Sequence, residues 1–207
     1  MTATSEIVFE ALWIFGILAF AISGGLVGVR RNLDLLGILV VGTATGIGGG
    51  IIRDLIIGVQ PPVAFVHWPY WGTAIAGSLF VFFFHPGLAR IRRAEIISDA
   101  FGLGVFAAYG AAVGVTEGFD PLTSVFIGTV AAIGGGVIRD VLVNDIPGVL
   151  TRELYAVSAI LGATVAMTIT WFTGYLVTAS VVGGILATGL RLTSYKMGWH
   201  LPKPKMK

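Results

Sequence analysis

Seven apolar stretches, each close to the roughly 20 residues that carry a helix across a bilayer, take up most of this 207-residue chain. They run Ile7 to Val29, Leu35 to Ile57, Trp68 to Phe84, Ile96 to Val115, Leu122 to Val143, Leu154 to Phe172 and Tyr175 to Leu192. Only 12% of the residues are charged and 56% are apolar, whereas a soluble domain averages about 25% charged. The mean hydropathy of +0.91 points the same way. The chain therefore reads as an all-α membrane protein with seven transmembrane helices in a single domain, residues 1–207, whose short loops leave no room for a second, soluble one. A net charge of +2 gives no reason to expect a nucleic-acid partner, and the absence of cysteine excludes disulfides, thiolate metal sites and Cys nucleophiles together.

Orientation follows from the cations. If the seven spans alternate, 11 of the 13 Lys and Arg fall on one side, at Arg30, Arg31, Arg90, Arg92, Arg93, Arg152, Arg191, Lys196, Lys203, Lys205 and Lys207, and the other two lie inside spans. The positive-inside rule makes that side cytoplasmic, with the N-terminus outside and a basic tail, 195–207, inside. The expected location is the cell's inner (plasma) membrane. Glu6 and Glu10 stand at the start of the first span without any Lys or Arg, the wrong charge for a secretory signal, so that span is read as retained. The ring clusters at His67, Trp68, Tyr70 and Trp71 and at Trp171, Phe172 and Tyr175 then fall at the outer interface.

The chain repeats itself. Sliding it by 86 residues aligns 16–61 with 102–147 without a gap and matches 19 of 46 positions, among them Gly16/Gly102, Phe20/Phe106, Gly24/Gly110 and Asp34/Asp120. The units are 7–89 and 94–173, followed by a seventh helix at 174–194. Each unit holds three spans, an odd number, so the second copy must cross the membrane in the opposite sense, as in the inverted repeats of transport proteins. Arg30 and Arg31 align with Thr116 and Glu117, so charge changes where the side changes.

The densest match is Gly48-Gly49-Gly50 followed by Arg53-Asp54, against Gly134-Gly135-Gly136 followed by Arg139-Asp140. Three glycines in succession cost about 0.8–1 kcal/mol each in helical propensity, so the second and fifth helices are expected to kink or unwind there, at the solute path. The competing reading is close helix packing, the role assigned to the isolated GxxxG pairs. A charge inside a span costs at least about 2.5–3.5 kcal/mol and must face protein or water. Neighbouring side chains on a helix point about 100° apart, so the expected pairs run across the repeats, Arg53 with Asp140 and Arg139 with Asp54. Ser23, Thr43, Thr45, Tyr109 and Thr129 are hydroxyl candidates for the same path, and Ser23 and Tyr109 are equivalent under the repeat. Asp99 is read as a helix N-cap. His67 and His85 lack a second ligand at metal spacing, so no metal or other cofactor is expected.

Three functions fit unequally. A channel needs a wet path and a gate. A secondary transporter of a small amino acid such as glycine would use the same broken helices, with Arg53 or Arg139 clamping a carboxylate. An intramembrane hydrolase is disfavoured, because Asp54 and Asp140 each follow an arginine that keeps them ionised and no Ser-His pair presents itself, so the chain is not read as an enzyme. The acidic outer residues Glu6, Glu10, Glu117 and Asp120 favour cations over anions, provided each buried arginine is neutralised or withdrawn. Neutralised pairs rank first for the arginines, gating second, and sites for anionic lipid third.

The doubled GGGxxRD, Ala19-Phe20-Ala21-Ile22-Ser23-Gly24, Ser98 to Leu103 and Arg152 to Ala156 resemble the prokaryotic members of the trimeric intracellular cation (TRIC) channel family, whose bacterial sequences have also been filed as glycine transporters. The resemblance runs from about Phe15 to the seventh span. It implies a homotrimer in membrane lipid, a hydrophilic pore in each protomer lined by the first, second, fourth and fifth spans, and permeation of K⁺ and Na⁺. One departure from the family pattern is that many relatives carry an acidic residue near the start of the first span as well as the fourth, whereas here Trp13 stands opposite Asp99 at the 86-residue offset.

Overall fold

A computed structural model describes residues 3–85, 88–151 and 154–202. The helices are α1 (Ala3–Arg30), α2 (Leu35–Ile57), α3 (Val63–Val66), α4 (Trp68–Phe84), α5 (Leu88–Thr116), α6 (Pro121–Leu142), α7 (Gly148–Thr151), α8 (Tyr155–Thr173) and α9 (Leu176–Met197), and no strand occurs among the described residues. Six of them, α1, α2, α5, α6, α8 and α9, are long and apolar enough to cross a bilayer. α4 has the bounds expected for the third span, but its 17 residues rise only about 25 Å against a hydrocarbon core of about 30 Å. Large apolar side chains such as Phe83, Phe84, Leu122 and Ile185 are exposed on the outside of the bundle, as a lipid-facing surface requires. Arg152 and the lysines of the tail, Lys203 to Lys207, lie outside the described residues.

The 86-residue offset is written into the backbone. α1, α2, α3 and α4 are followed, 86 residues on, by α5, α6, α7 and α8, and the same pairs pack in each half, α1 on α2 and α4, α5 on α6 and α8. Asp34 caps α2 by accepting from the Gly37 amide at 2.7 Å, and Asp120 caps α6 by accepting from the Leu122 and Thr123 amides at 3.0 and 3.1 Å. The Thr123 hydroxyl also donates to Asp120 and, with those amides, holds its carboxyl below the usual carboxylate range. The left-handed residues that close α1 and α5 are Asn32 and Gly118, and those after α2 and α6 are Gly58 and Asn144. At each of these paired turns one copy keeps glycine and the other asparagine, the side chain that best tolerates positive φ.

Contact between the halves is made by helices that come very close. α1 and α5 lie side by side in opposite directions: Gly16 faces Phe106 and Phe20 faces Gly102, while Trp13 stacks on Phe106 and Tyr109 at 4.2 and 4.6 Å. α2 and α6 cross at their glycine triplets, with the contacts exchanged in pairs. Gly48 faces Ile138 and Gly134 faces Ile52; Gly49 faces the carbonyl of Ala131 and Gly135 that of Thr45. Each contact maps onto its partner through the 86-residue offset, the mark of a pseudo-two-fold between the halves.

The unwinding that the triplets could produce is absent. Both helices run unbroken through them, so neither unwinds. The missing side chains let two backbones meet, and the close packing of the crossing outweighs the loss in propensity. A methyl added at Gly49 would collide with the Ala131 carbonyl, whereas one at Gly189 of α9 meets nothing within 4 Å. Gly49→Ala is therefore expected to destabilise the protein by about 1–3 kcal/mol through overpacking, and Gly189→Ala to leave stability unchanged or raise it by up to about 1 kcal/mol. Thermal unfolding of the purified variants in detergent measures both.

Candidate functional site

One helical turn beyond the crossing, each triplet delivers its Arg-Asp pair into the interior. Arg53, Asp54, Arg139 and Asp140 are all at most 5% exposed. The pairs form within each helix. Arg53 Nε and Nη2 donate to Asp54 Oδ1 at 2.9 and 2.6 Å, and Arg139 Nε donates to Asp140 Oδ1 at 2.8 Å. The expected exchange of Arg53 with Asp140 and Arg139 with Asp54 does not occur. Two facts explain this. The arginine stem is long enough to fold back over its own helix, which overcomes the angular separation of neighbouring positions. The two arginines also sit at different levels, Arg53 beside Trp13 and Arg139 beside Ser23, ten residues or about 15 Å apart along α1.

The second oxygen of each aspartate holds the segment that follows. Asp54 Oδ2 accepts from the Val63 amide at 2.9 Å, and Asp140 Oδ2 from the Gly148 amide at 2.7 Å, so the carboxylates fasten the short helices α3 and α7. Nothing in the composition of these two short segments announces them as helices; the repeated Asp is their only signal.

The halves do exchange partners, through Ser23 and Tyr109. Arg139 Nη1 donates to Ser23 Oγ of the other half at 2.7 Å, and Arg53 lies 5.3 Å from the ring of Tyr109 of the other half. Within its own half Arg139 Nη1 donates to Asp99 Oδ1 at 2.6 Å, while the Arg53 guanidinium lies 4.2 Å over the Trp13 ring. Asp99 is thus no helix cap: α5 begins at Leu88, and Asp99 sits fully buried within it. Arg139 is held by two carboxylates and a hydroxyl, Arg53 by one carboxylate and two aromatic faces.

Between these levels the interior is filled by rings. Phe9 stacks on Tyr109 at 4.1 Å, Trp13 lies between Tyr109 and Phe106, and Phe106 meets Phe20 edge to face at 4.9 Å. Phe20 and Phe106 are repeat equivalents, so they form the centre of the pseudo-two-fold. Of the hydroxyl candidates, Thr45 donates back to the Val41 carbonyl of its own helix at 2.6 Å. Thr43 lines an apolar groove of about 530 Å³ with Ile47, Phe65, Trp71 and Ile138, away from the charges. Thr129 Oγ1 is buried without a hydrogen-bond partner among the described residues. His67 is not merely solvated: it meets Glu10 at 3.2 Å and packs on Tyr70 at 4.7 Å.

On the side of Arg30 a polar cavity of about 560 Å³ opens beside Asp140, lined also by Arg92, Glu95, Asp145, Tyr195 and His200. Arg30 pairs with Glu95 at 3.1 Å, and Arg31 with Asp145. Sequence reasoning missed Asp99 as a pairing residue, and also Glu95 and Arg191, the latter fully buried 5.1 Å from the Tyr155 ring.

A family model described as a glycine transporter matches the chain twice, over residues 10–86 and 96–171, two stretches that begin 86 residues apart. A UPF0126 membrane protein of Deinococcus radiodurans is 41% identical over 192 residues, covering 91% of this chain and 88% of that one. The Bacillus subtilis protein YvgT is 37% identical over 93% of this chain and 95% of its own length. A structure solved in a study of conductance through TRIC cation channels superposes with a TM-score of 0.86 at 37% identity, covering 96% of this chain and 98% of that one. The chain belongs to the TRIC cation-channel family. A prokaryotic TRIC channel in 0.5 M KCl superposes with a TM-score of 0.88 at 37% identity over 95% of this chain and 100% of the other. The orthologue from Rhodobacter sphaeroides does so at 0.86 and 32% identity over 92% and 98%. The chain is accordingly a multi-pass membrane protein with a TRIC fold.

In this arrangement Asp99→Asn leaves the buried Arg139 with one carboxylate fewer and is expected to cost about 3–5 kcal/mol. Ser23→Ala, which removes a hydrogen bond to a charged group, is expected to cost about 1.5–3 kcal/mol. The charge exchange Arg53→Asp with Asp140→Arg is expected to rescue neither single variant, because the two residues do not meet. Unfolding midpoints of the purified variants test all three.

Proposed function

We propose that this chain is a monovalent cation channel for K⁺ and Na⁺, assembled as a homotrimer with a hydrophilic path inside each protomer. The observation that carries the reading is the charge balance of the buried site. A cation path beside two arginines requires both to be neutralised. Arg53 is matched by Asp54, and Arg139 is outnumbered by Asp99 and Asp140. With the buried Arg191 counted, the three arginines and the three aspartates balance, so no uncompensated positive charge faces the path to repel a cation. The TRIC channels that share the fold are cation channels, which supports the same conclusion.

The path runs between the two repeats, past Gly48 to Gly50 with Arg53 and Asp54 in one half and Gly134 to Gly136 with Arg139 and Asp140 in the other, with Ser23, Tyr109 and Thr129 beside them. The repeats are inverted: the antiparallel packing of the equivalent helices α1 and α5 supports this. α4 serves as the seventh span. It carries no charged residue, packs on α1 and α2 as α8 packs on α5 and α6, and can cross where the bilayer thins locally around it. The Lys and Arg distribution supports an orientation with the N-terminus outside an inner membrane and the C-terminus in the cytoplasm. With Phe20 against Phe106 at the centre, this conformation is closed, and bending of α2 and α6 at their triplets is the motion that would open it.

The description of the matching family model keeps a second reading, carriage of glycine, in which Arg53 or Arg139 binds the carboxylate. Planar-bilayer recording of the purified protein in asymmetric KCl, beside exchange of radiolabelled glycine in liposomes, separates the two. Unitary steps reversing near the K⁺ equilibrium potential without saturable glycine exchange are expected. Saturable exchange without steps would overturn the channel. The mass of the detergent-solubilised particle, expected to correspond to three chains, tests the assembly.

A further inference from the structure

Under the 86-residue offset Trp13 and Asp99 are the same position, and the structure treats them so. Trp13 projects from α1 onto Gly50, where a methyl would lie 2.7 Å from its Cζ2 atom, and Asp99 projects from α5 toward Gly136, within 3.9 Å of a methyl placed there. Each then meets the arginine of its own half, Trp13 under Arg53 at 4.2 Å and Asp99 on Arg139 at 2.6 Å. One half of the molecule presents an indole where the other presents a carboxylate.

We propose that Trp13 limits conduction through the half of the path built on Arg53, by filling the place that a carboxylate holds in the other half. Three observations meet in this. The ring is 2% exposed, stacked on Phe106 and tilted against Tyr109, so no passage is left beside it. It faces Gly50, the third glycine of the triplet, which leaves no room for the ring to tilt toward α2. It also leaves Arg53 with a single carboxylate, where Arg139 has two. A cation crossing the protomer therefore passes two carboxylates in one half and, in the other, a single carboxylate behind a wall of rings. The proposal rests on the cation-channel reading and adds to it the residue that sets the size of the current.

The test is unitary current in symmetric KCl from wild type and from Trp13→Phe, Trp13→Asn and Trp13→Asp, each first shown to elute as the wild-type assembly, with Trp171→Asn at the exposed end of α8 as a control. Asn and Asp are expected to raise the conductance several-fold and Phe less, with Trp171→Asn unchanged. Asp is expected to exceed Asn and, in a KCl gradient, to bring the reversal potential closer to that of K⁺, which a purely structural role for the ring would not do. If Asn or Asp fails to assemble, Trp13→Leu replaces it and is expected to raise the conductance as well. Wild-type currents that the polar variants leave unaltered, or that Phe raises as much as Asn does, would overturn the proposal and leave the channel standing. Silence from wild type and every variant alike would overturn the channel reading, and this proposal with it.

Discussion

An arginine placed inside an apolar bundle cannot be left alone, and both halves of this molecule are organised around that requirement. An isolated charge in such surroundings is destabilising by many kcal/mol, and it persists only with a partner at hydrogen-bond distance. Arg53 and Arg139 each find the first partner in the next residue of their own helix. That aspartate, drawn inward by the ion pair, has a second oxygen facing the chain that follows, and it orders α3 in one half and α7 in the other. A single sequence step, Arg then Asp, thus neutralises a charge and sets the direction in which the chain leaves the helix.

The glycine triplets make the arrangement possible by another route than unwinding. Helices with ordinary side chains pack with axes about 8–10 Å apart. With glycine at Gly49 and Gly135 the backbones of α2 and α6 come together closely enough for a carbonyl of each to occupy the space of a missing methyl. Because the contact is exchanged in pairs, any change in one triplet is felt at the other, and the Arg-Asp pairs one turn beyond are spread to opposite ends of the crossing. The separation that prevents Arg53 from meeting Asp140 is a consequence of the crossing itself.

Much of the fold was legible from periodicity and length. The second and third spans match α2 and α4 at both ends, and the paired caps Asp34 and Asp120 were visible as identities at the 86-residue offset. The site was legible in outline, because charges in apolar spans are conspicuous. Its pairing was not, since the angular rule for neighbouring helix positions holds for short side chains and fails for the long stem of arginine. Asp99 was misplaced for a different reason. The apolar stretch starts near Ile96, but the helix begins at Leu88, so a residue near the edge of the hydrophobic run lies well inside the structure. α3 and α7 were missed because helices of four residues leave no periodic trace.

Duplication supplies a symmetrical frame, and the side chains since placed on it are not symmetrical. Phe9 and Trp13 on α1 are the equivalents of Glu95 and Asp99 on α5. The first pair packs rings against Tyr109, and the second pairs carboxylates with Arg30 and Arg139. At the position of Tyr109 the other half has Ser23, small enough to reach Arg139 by a hydrogen bond where Tyr109 must offer a face. All three exchanges go the same way, toward rings around Arg53 and toward hydrogen-bonding groups around Arg139. Rings exclude water and carboxylates draw it in, so the two ends of a path through this frame differ in hydration before any ion enters. The end beside Arg139 lies next to the polar cavity bounded by Arg30, Glu95 and Asp145, so polar groups continue from that cavity to the buried carboxylates. The end beside Arg53 has the same backbone and the opposite chemistry, and under the proposed channel reading it is the end at which the path closes.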